Sequence, residues 1–452
     1  MRMHLVKTVR PSVIYFFIIL SHFLYSLALF VPSAVTRSGD SGVYDYMAKA
    51  PIISKAFLAG PRPPVVPLFY KMIPHNDDAR TWFQLVLYLF CWVFLAVAFC
   101  LHLTCQSSRY IAMVVILAFS TSYRIMMWNR IILSESISTS FYIGTLAAFL
   151  WYLNRPSTAR ISMACLCALL MMFARETNAF LVLFVVLVLL PFASIKRFRS
   201  KIIIISSIAL CLFSAALISS NVGDRWFFPF LNLLGKRITV DKVMERYFIQ
   251  HGMPRKNLSL FHNKYGTKTR ILVTPSSPFR DLYVWIHHSS KITYARFFLE
   301  HPNLAVEDAW FYKKYILSPD LHAYLSFNRD LESKSLFTKI LFPESMSWLG
   351  NWLIFVLLCA AYAMTNRDVR SALIIALGNI LFAVPLAILI WNADAMEIAR
   401  HSLQVGVMVR LGGWLVILIT VDSIAKQMHL QKPLAAKAEL NSSQSETASV
   451  VN

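Results

Sequence analysis

Apolar residues in this chain come in long unbroken runs rather than in alternation. Ten runs stand out, at about 12–31, 82–103, 110–128, 131–153, 160–174, 177–194, 202–220, 346–365, 371–391 and 402–424. Most approach the ~20 residues that a helix needs to cross a bilayer. In lipid the backbone must satisfy its own hydrogen bonds, so the runs predict helices. The fifth and sixth are short and are parted by Arg175-Glu176. Two long segments contain no such run. Residues 43–58 of the first have helical spacing, until Pro61-Arg62-Pro63-Pro64 stops any helix. The second is rich in aromatics and mixed charge, which predicts short amphipathic helices on the membrane surface. The pattern divides the chain into residues 1–220, with seven spans and a first outer loop at 32–81; a large outer loop region, 221–345; C-terminal spans, 346–425; and a polar tail, 426–452, expected to be disordered. The fold class is an all-α polytopic membrane protein of about ten transmembrane helices, with two long outer loops carrying interfacial helices.

Composition agrees. With 57% hydrophobic and 15% charged residues, a water-soluble enzyme, a disordered chain and a disulfide scaffold are all excluded. The net charge of +21 would suggest nucleic acid in a soluble protein. Here it reads as basic residues gathered at one membrane face, and no nucleic-acid partner is expected. Arg2/Lys7/Arg10, Arg109, Arg155/Arg160, Lys196/Arg197/Arg199/Lys201, Arg367/Arg370 and Lys426/Lys432 all fall on one side if the amino terminus is inside. Both termini are then cytoplasmic, both long segments are outside, and the first run is a retained span rather than a cleaved signal. The expected location is the plasma (cell) membrane.

The polar residues near span ends carry the candidate chemistry. Asp40 and Asp45 follow span one. Arg130 and Glu135 bracket the start of span four, Arg175 and Glu176 join spans five and six, and Asp394, Glu397, Arg400 and His401 precede or open span ten. Acids at a bilayer are expensive and face polar cavities, so these four places predict one outward-facing site. Structural readings stand beside the functional ones. Asp40 is placed to cap an interfacial helix. Arg62, Lys71, Arg130 and Arg400 are candidates for an anionic ligand or for snorkelling to head groups. Glu135 is a candidate to orient sugar hydroxyls or to pair with Arg130, and Arg175 and Glu176 to pair locally. His401, at a helix start, is read mainly as a structural group. His287-His288 lacks an acidic or histidine partner at helical spacing, so no metal site is expected.

The segment GDSGVYDYMAKAPIISKAFLAGPRPPVVPLFYK (residues 39–71), with an acid soon after span one, a Tyr four residues on and R-P-P-x-x-P-L, resembles the first outer loop of the GT-C glycosyltransferase superfamily. Protein mannosyltransferases and lipid A aminoarabinose transferases are the nearest in style. RIILSESIST (130–139) is similar to the acid-bearing helix of that group, and DAMEIARHSL (394–403) fits its final span. The usual adjacent second acid is replaced by Ser41. The resemblance implies a sugar donor linked to a polyprenyl phosphate, an acceptor that is a glycan, lipid or protein, and no established cofactor. It implies Asp40 as base or acceptor-orienting acid, and Tyr44, Arg62, Lys71, Arg130, Glu135, Arg400 and His401 as substrate-binding. A secondary transporter or lipid flippase is the first alternative, although neither paired repeats nor midplane polar groups stand out. A non-catalytic assembly subunit is the second.

Overall fold

The computed structural model describes residues 10–189, 199–317, 338–343 and 345–449. The basic residues Arg2, Lys7, Lys196 and Arg197 lie outside the described residues. Among those described every regular element is helical, apart from an isolated parallel bridge between Thr36 and Ile131. The principal helices are α1 (Pro11–Phe30), the short α2 (Ser41–Lys49), α3 (Asp77–Cys100), α4 (Gln106–Ser120), α5 (Ser134–Asn154), α6 (Thr158–Ala174), α7 (Glu176–Leu189), α8 (Arg199–Val222), α9 (Met346–Ala363), α10 (Arg370–Ala393), the short α11 (Ile398–His401) and α12 (Leu403–Ser449). Of these, α1, α3, α5, α8, α9, α10 and α12 are long and apolar enough to cross a membrane. An eighth candidate is α4 taken with Tyr123–Arg130. The architecture is that of an α-helical polytopic membrane protein.

Two local expectations need correction. The third apolar run is not one helix but bends by 57° after Ser120. There the hydroxyls of Ser120 and Thr121 donate back to the carbonyls of Leu117 and Ala118, at 2.7 and 2.8 Å, and compete with the helical ladder. The interfacial helix expected over 43–58 is interrupted. α2 ends at Lys49, one residue before the Ala50-Pro51 step, and a single turn resumes at Lys55–Leu58. The backbone of α12 runs on as helix to Ser449, into the segment read above as a polar tail.

α5 and α12 form the centre, with α3 and α6 packed on α5, and α9 and α10 on α12. Between apolar helices in lipid, close backbone approach replaces the hydrophobic drive. Gly412 and Gly413 supply it. A methyl at Gly412 would lie 2.7 Å from Ile380, and one at Gly413 would lie 2.1 Å from the Trp352 ring. A buried polar link adds specificity: Tyr142 of α5 donates to Asn379 of α10, whose amide donates 2.9 Å to the Met408 carbonyl of α12. The described part of the large loop is built of short helices that enclose their own apolar core. Phe230, Leu234, Phe248, Phe261, Ile286 and Phe297 are all buried there.

Near the middle of α12, Asp422 reaches the chain just before another helix. Its carboxylate accepts from the backbone N–H groups of Thr104 and Cys105, both at 2.8 Å, and from the Thr104 hydroxyl at 2.9 Å. These donors lie just before the start of α4, where negative charge is favoured. Asp422→Ala is expected to destabilise the protein by about 2–3 kcal/mol, read as a lower midpoint of thermal unfolding in detergent. A midpoint equal to wild type would mean that water replaces the carboxylate at no cost.

Candidate functional site

Asp40 reaches its neighbours because the chain after α1 is pinned to the chain before α5. Thr36 N–H donates 2.9 Å to the Arg130 carbonyl, and Ile132 N–H donates 3.1 Å to the Thr36 carbonyl. Five residues beyond Thr36, the fully buried Ser41 hydroxyl donates 2.7 Å to the Ile132 carbonyl. These bonds set the start of α2 against the start of α5, and Asp40 beside Glu135. Asp40 occupies the residue before α2, but its side chain makes no capping hydrogen bond. It is instead held between two arginines: Oδ1 accepts from Arg62, and Oδ2 accepts from Arg400 Nη2 at 3.1 Å.

Arg400, on α11 and 6% exposed, is the hub. Its Nε donates 2.7 Å to Glu135, its Nη1 2.6 Å to Glu397, and its Nη2 to Asp40. One guanidinium therefore serves three carboxylates from three parts of the chain, the multidentate role for which Arg rather than Lys is suited. Arg175 lies 3.5 Å from the same Glu135 oxygen. The other Glu135 oxygen, Oε2, is buried without a hydrogen-bond partner among the described residues, as is Arg62 Nε. Tyr44 is buried beside them and bonded to Ser134. Burial pushes its hydroxyl up to about 12, with Glu135 adding to the effect.

A second arm leads to the large loop. Arg175 Nη2 donates 2.5 Å to His401 Nδ1, so the imidazole proton sits on Nε2, facing Asp394 Oδ2 at 3.8 Å. Asp394 accepts 2.9 Å from Asn232, which itself accepts from Gly266 N–H. Burial, reinforced by Arg175 and Arg400, holds His401 well below the ordinary histidine value and therefore neutral. Burial likewise raises Asp394 and Glu397 above the usual carboxylate range. For Asp40 burial acts in the same direction, but Arg62 and Arg400 outweigh it and hold the carboxyl low.

Asp40, Tyr44, Arg62, Glu135, Arg400 and His401 are thus brought together. Lys71 and Arg130 are not. Lys71 Nζ donates to the carbonyls of Ala48 and Ala50, at 3.1 and 3.0 Å. Arg130 donates to the carbonyls of Phe30 and Val31 and lies 3.8 Å over the Phe30 ring. Both fasten backbone rather than line the cluster, and Glu135 pairs with Arg400 and Arg175 instead of Arg130. Arg175 and Glu176 do not pair locally either. Glu176 faces Arg225 at 3.6 Å, and Arg225 in turn donates 2.6 Å to the Gly60 carbonyl, which steadies the turn bearing Arg62. Sequence reasoning passed over Arg225, Asn232 and the central position of Arg175. Only the double acid-base step at Arg175-Glu176, inside an otherwise apolar stretch, pointed to the last. His287 meets Asp224 at 3.2 Å, and among the described residues no group of three or more His, Cys, Asp or Glu is placed to hold a metal ion. No family model, curated protein or solved structure matches the chain.

Proposed function

We propose that the protein is a GT-C-type glycosyltransferase that moves a sugar from a polyprenyl-phosphate donor to a glycan, lipid or protein acceptor at the extracytoplasmic face of the plasma membrane, with both termini cytoplasmic. The observation that carries the reading is the Asp40 carboxylate held between Arg62 and Arg400 beside Glu135 and Glu397, next to the ends of apolar helices. Sugar transfer passes through an oxocarbenium-like state and needs acids near the reacting carbon. The leaving group is an anionic phosphate, and fixed cations stabilise the charge that grows on it. Arg62 and Arg400 suit that task, and Arg62, with its side chain 31% exposed, is open to an incoming ligand. Glu135, fully buried, fixes the Arg400 guanidinium for that task. Asp40 serves as base or as the acid that orients the acceptor. A donor anchored in lipid also accounts for an enzyme built within the membrane.

The test is consumption of radiolabelled polyprenyl-phosphate mannose, glucose, galactose or arabinose by the purified chain. At least one donor is expected to be turned over, with Asp40→Asn slowed by ~100-fold while keeping its thermal midpoint. Failure to consume any donor would remove the reading and leave secondary transport as the next activity to assay.

A further inference from the structure

Four non-glycine residues among those described have a positive φ: Asp224, Asn257, Asn263 and Glu397. Asn and Asp tolerate this region because their short side chains bond locally. Glu397, at φ 54 and ψ 35 immediately before α11, has no such compensation. Strain of this kind gathers where a side chain must be aimed. The three carboxylates on Arg400 also differ in what they have left to offer. Glu135 is fully buried. Asp40 has both oxygens engaged, one by each arginine. Glu397 gives only Oε2 to Arg400; Oε1 has no partner among the described residues, and the side chain is 22% exposed.

Resting on the glycosyl-transfer reading, we infer that Glu397 Oε1 takes the acceptor's proton, and that Asp40 orients the acceptor while bracing Arg62 and Arg400. The acceptor oxygen forms its bond to the anomeric carbon as the bond from that carbon to the phosphate oxygen breaks. The lipid phosphate leaves with that electron pair, the acceptor proton passes to Glu397, and water then removes it. Efficient proton transfer favours a base whose affinity for the proton is not strongly depressed. Asp40 is held low by its two arginines, whereas burial raises Glu397. The charged groups facing Glu397 are Arg400 on its own turn, Asp40 and Arg62 from the first outer loop, and Glu135 from α5.

The experiment compares the full-length wild type with Glu397→Gln, Glu397→Gly and Asp40→Asn in detergent, across pH, using the same four radiolabelled polyprenyl-phosphate sugars. Glu397→Gln is expected to lose ~100-fold in kcat with donor KM within about threefold, and to lose the acidic limb of the pH–rate profile. Glu397→Gly relieves the left-handed strain, so it is expected to melt at or above the wild-type temperature while being as inactive. Asp40→Asn removes a neighbouring negative charge, which lowers the Glu397 pKa and shifts the surviving limb to lower pH. Wild-type turnover with a Glu397→Gln variant that keeps its rate or its acidic limb would overturn this assignment alone. A wild type that consumes none of the donors would remove the glycosyl-transfer reading and this assignment with it.

Discussion

Arg400→Met is expected to abolish turnover and to cost about 3–5 kcal/mol of stability, the range for breaking a buried ion pair by removing one partner. Here the loss strands three carboxylates at once. Glu135 keeps only Arg175 at 3.5 Å, Asp40 keeps Arg62, and Glu397 keeps no other ion pair among the described residues. Lysine does not repair this, because a single ammonium cannot reproduce three bonds made by three nitrogens of a planar fork. The pH dependence follows from the sign of each shift. In the wild type Asp40 sits below its ordinary value, so it stabilises the fold above that value and ceases to do so as pH falls through the depressed one. In Arg400→Met, Asp40 and Glu397 both lose a cation and titrate higher, and their repulsion fades as they protonate. The gap in thermal midpoint between wild type and variant should therefore begin to narrow as pH falls through the variant's raised carboxyl values, above the ordinary carboxylate range, and go on narrowing down to the depressed Asp40 value of the wild type. A variant that melts like wild type at neutral pH would show that the carboxylates find other partners and that Arg400 is no hub.

What the amino-acid order makes legible here is set by distance from the backbone. The apolar runs correspond to helices because lipid leaves the backbone no other way to satisfy its hydrogen bonds. Their ends are less legible, since Ser120 and Thr121 bend a run that hydropathy alone reads as continuous. The gathering of charged residues at span ends was also readable, because only a shared polar site makes several such residues tolerable there. Pairing was not. Arg130 and Glu135 are five positions apart and look like partners. Between them, however, the chain passes from a 3-10 turn ending at Arg130 to an extended stretch before α5. Arg130 is thereby turned to the end of α1 and Glu135 toward Arg400. The direction of a side chain after such a turn depends on contacts made 100 or more residues away, as Arg130 to Phe30 and Glu135 to Arg400 both show. The strain at Glu397 has no sequence signature either, because glutamate is a poor marker of left-handed backbone.

A second arginine in the same part of the chain separates chemistry from architecture. Arg410 is fully buried in α12, about 10 Å along the helix from its start at Leu403. Its Nε and Nη2 donate to the Pro343 carbonyl, the former at 2.9 Å. Nη2 also donates 2.7 Å to the Leu317 carbonyl, and Nη1 donates 3.2 Å to Gly406. The guanidinium lies 4.1 Å over the Phe342 ring. These contacts tie α12 to two points of the large outer region that are 26 residues apart in the chain. Arg410→Met fills similar volume but leaves the Leu317 and Pro343 carbonyls without their donor in a buried setting, at about 1–3 kcal/mol each, and gives up the ring contact as well. A loss of about 3–5 kcal/mol is expected in thermal unfolding, comparable to that of Arg400→Met. Turnover per folded molecule distinguishes the two. With Arg410→Met it should stay within about threefold of wild type at a temperature where the variant remains folded, because no carboxylate of the Asp40 cluster touches this side chain through any described bond. With Arg400→Met it should vanish at the same temperature. If the two variants lost activity in parallel, the large loop and the acidic cluster would be acting as one unit, and the division between anchor and hub would be wrong.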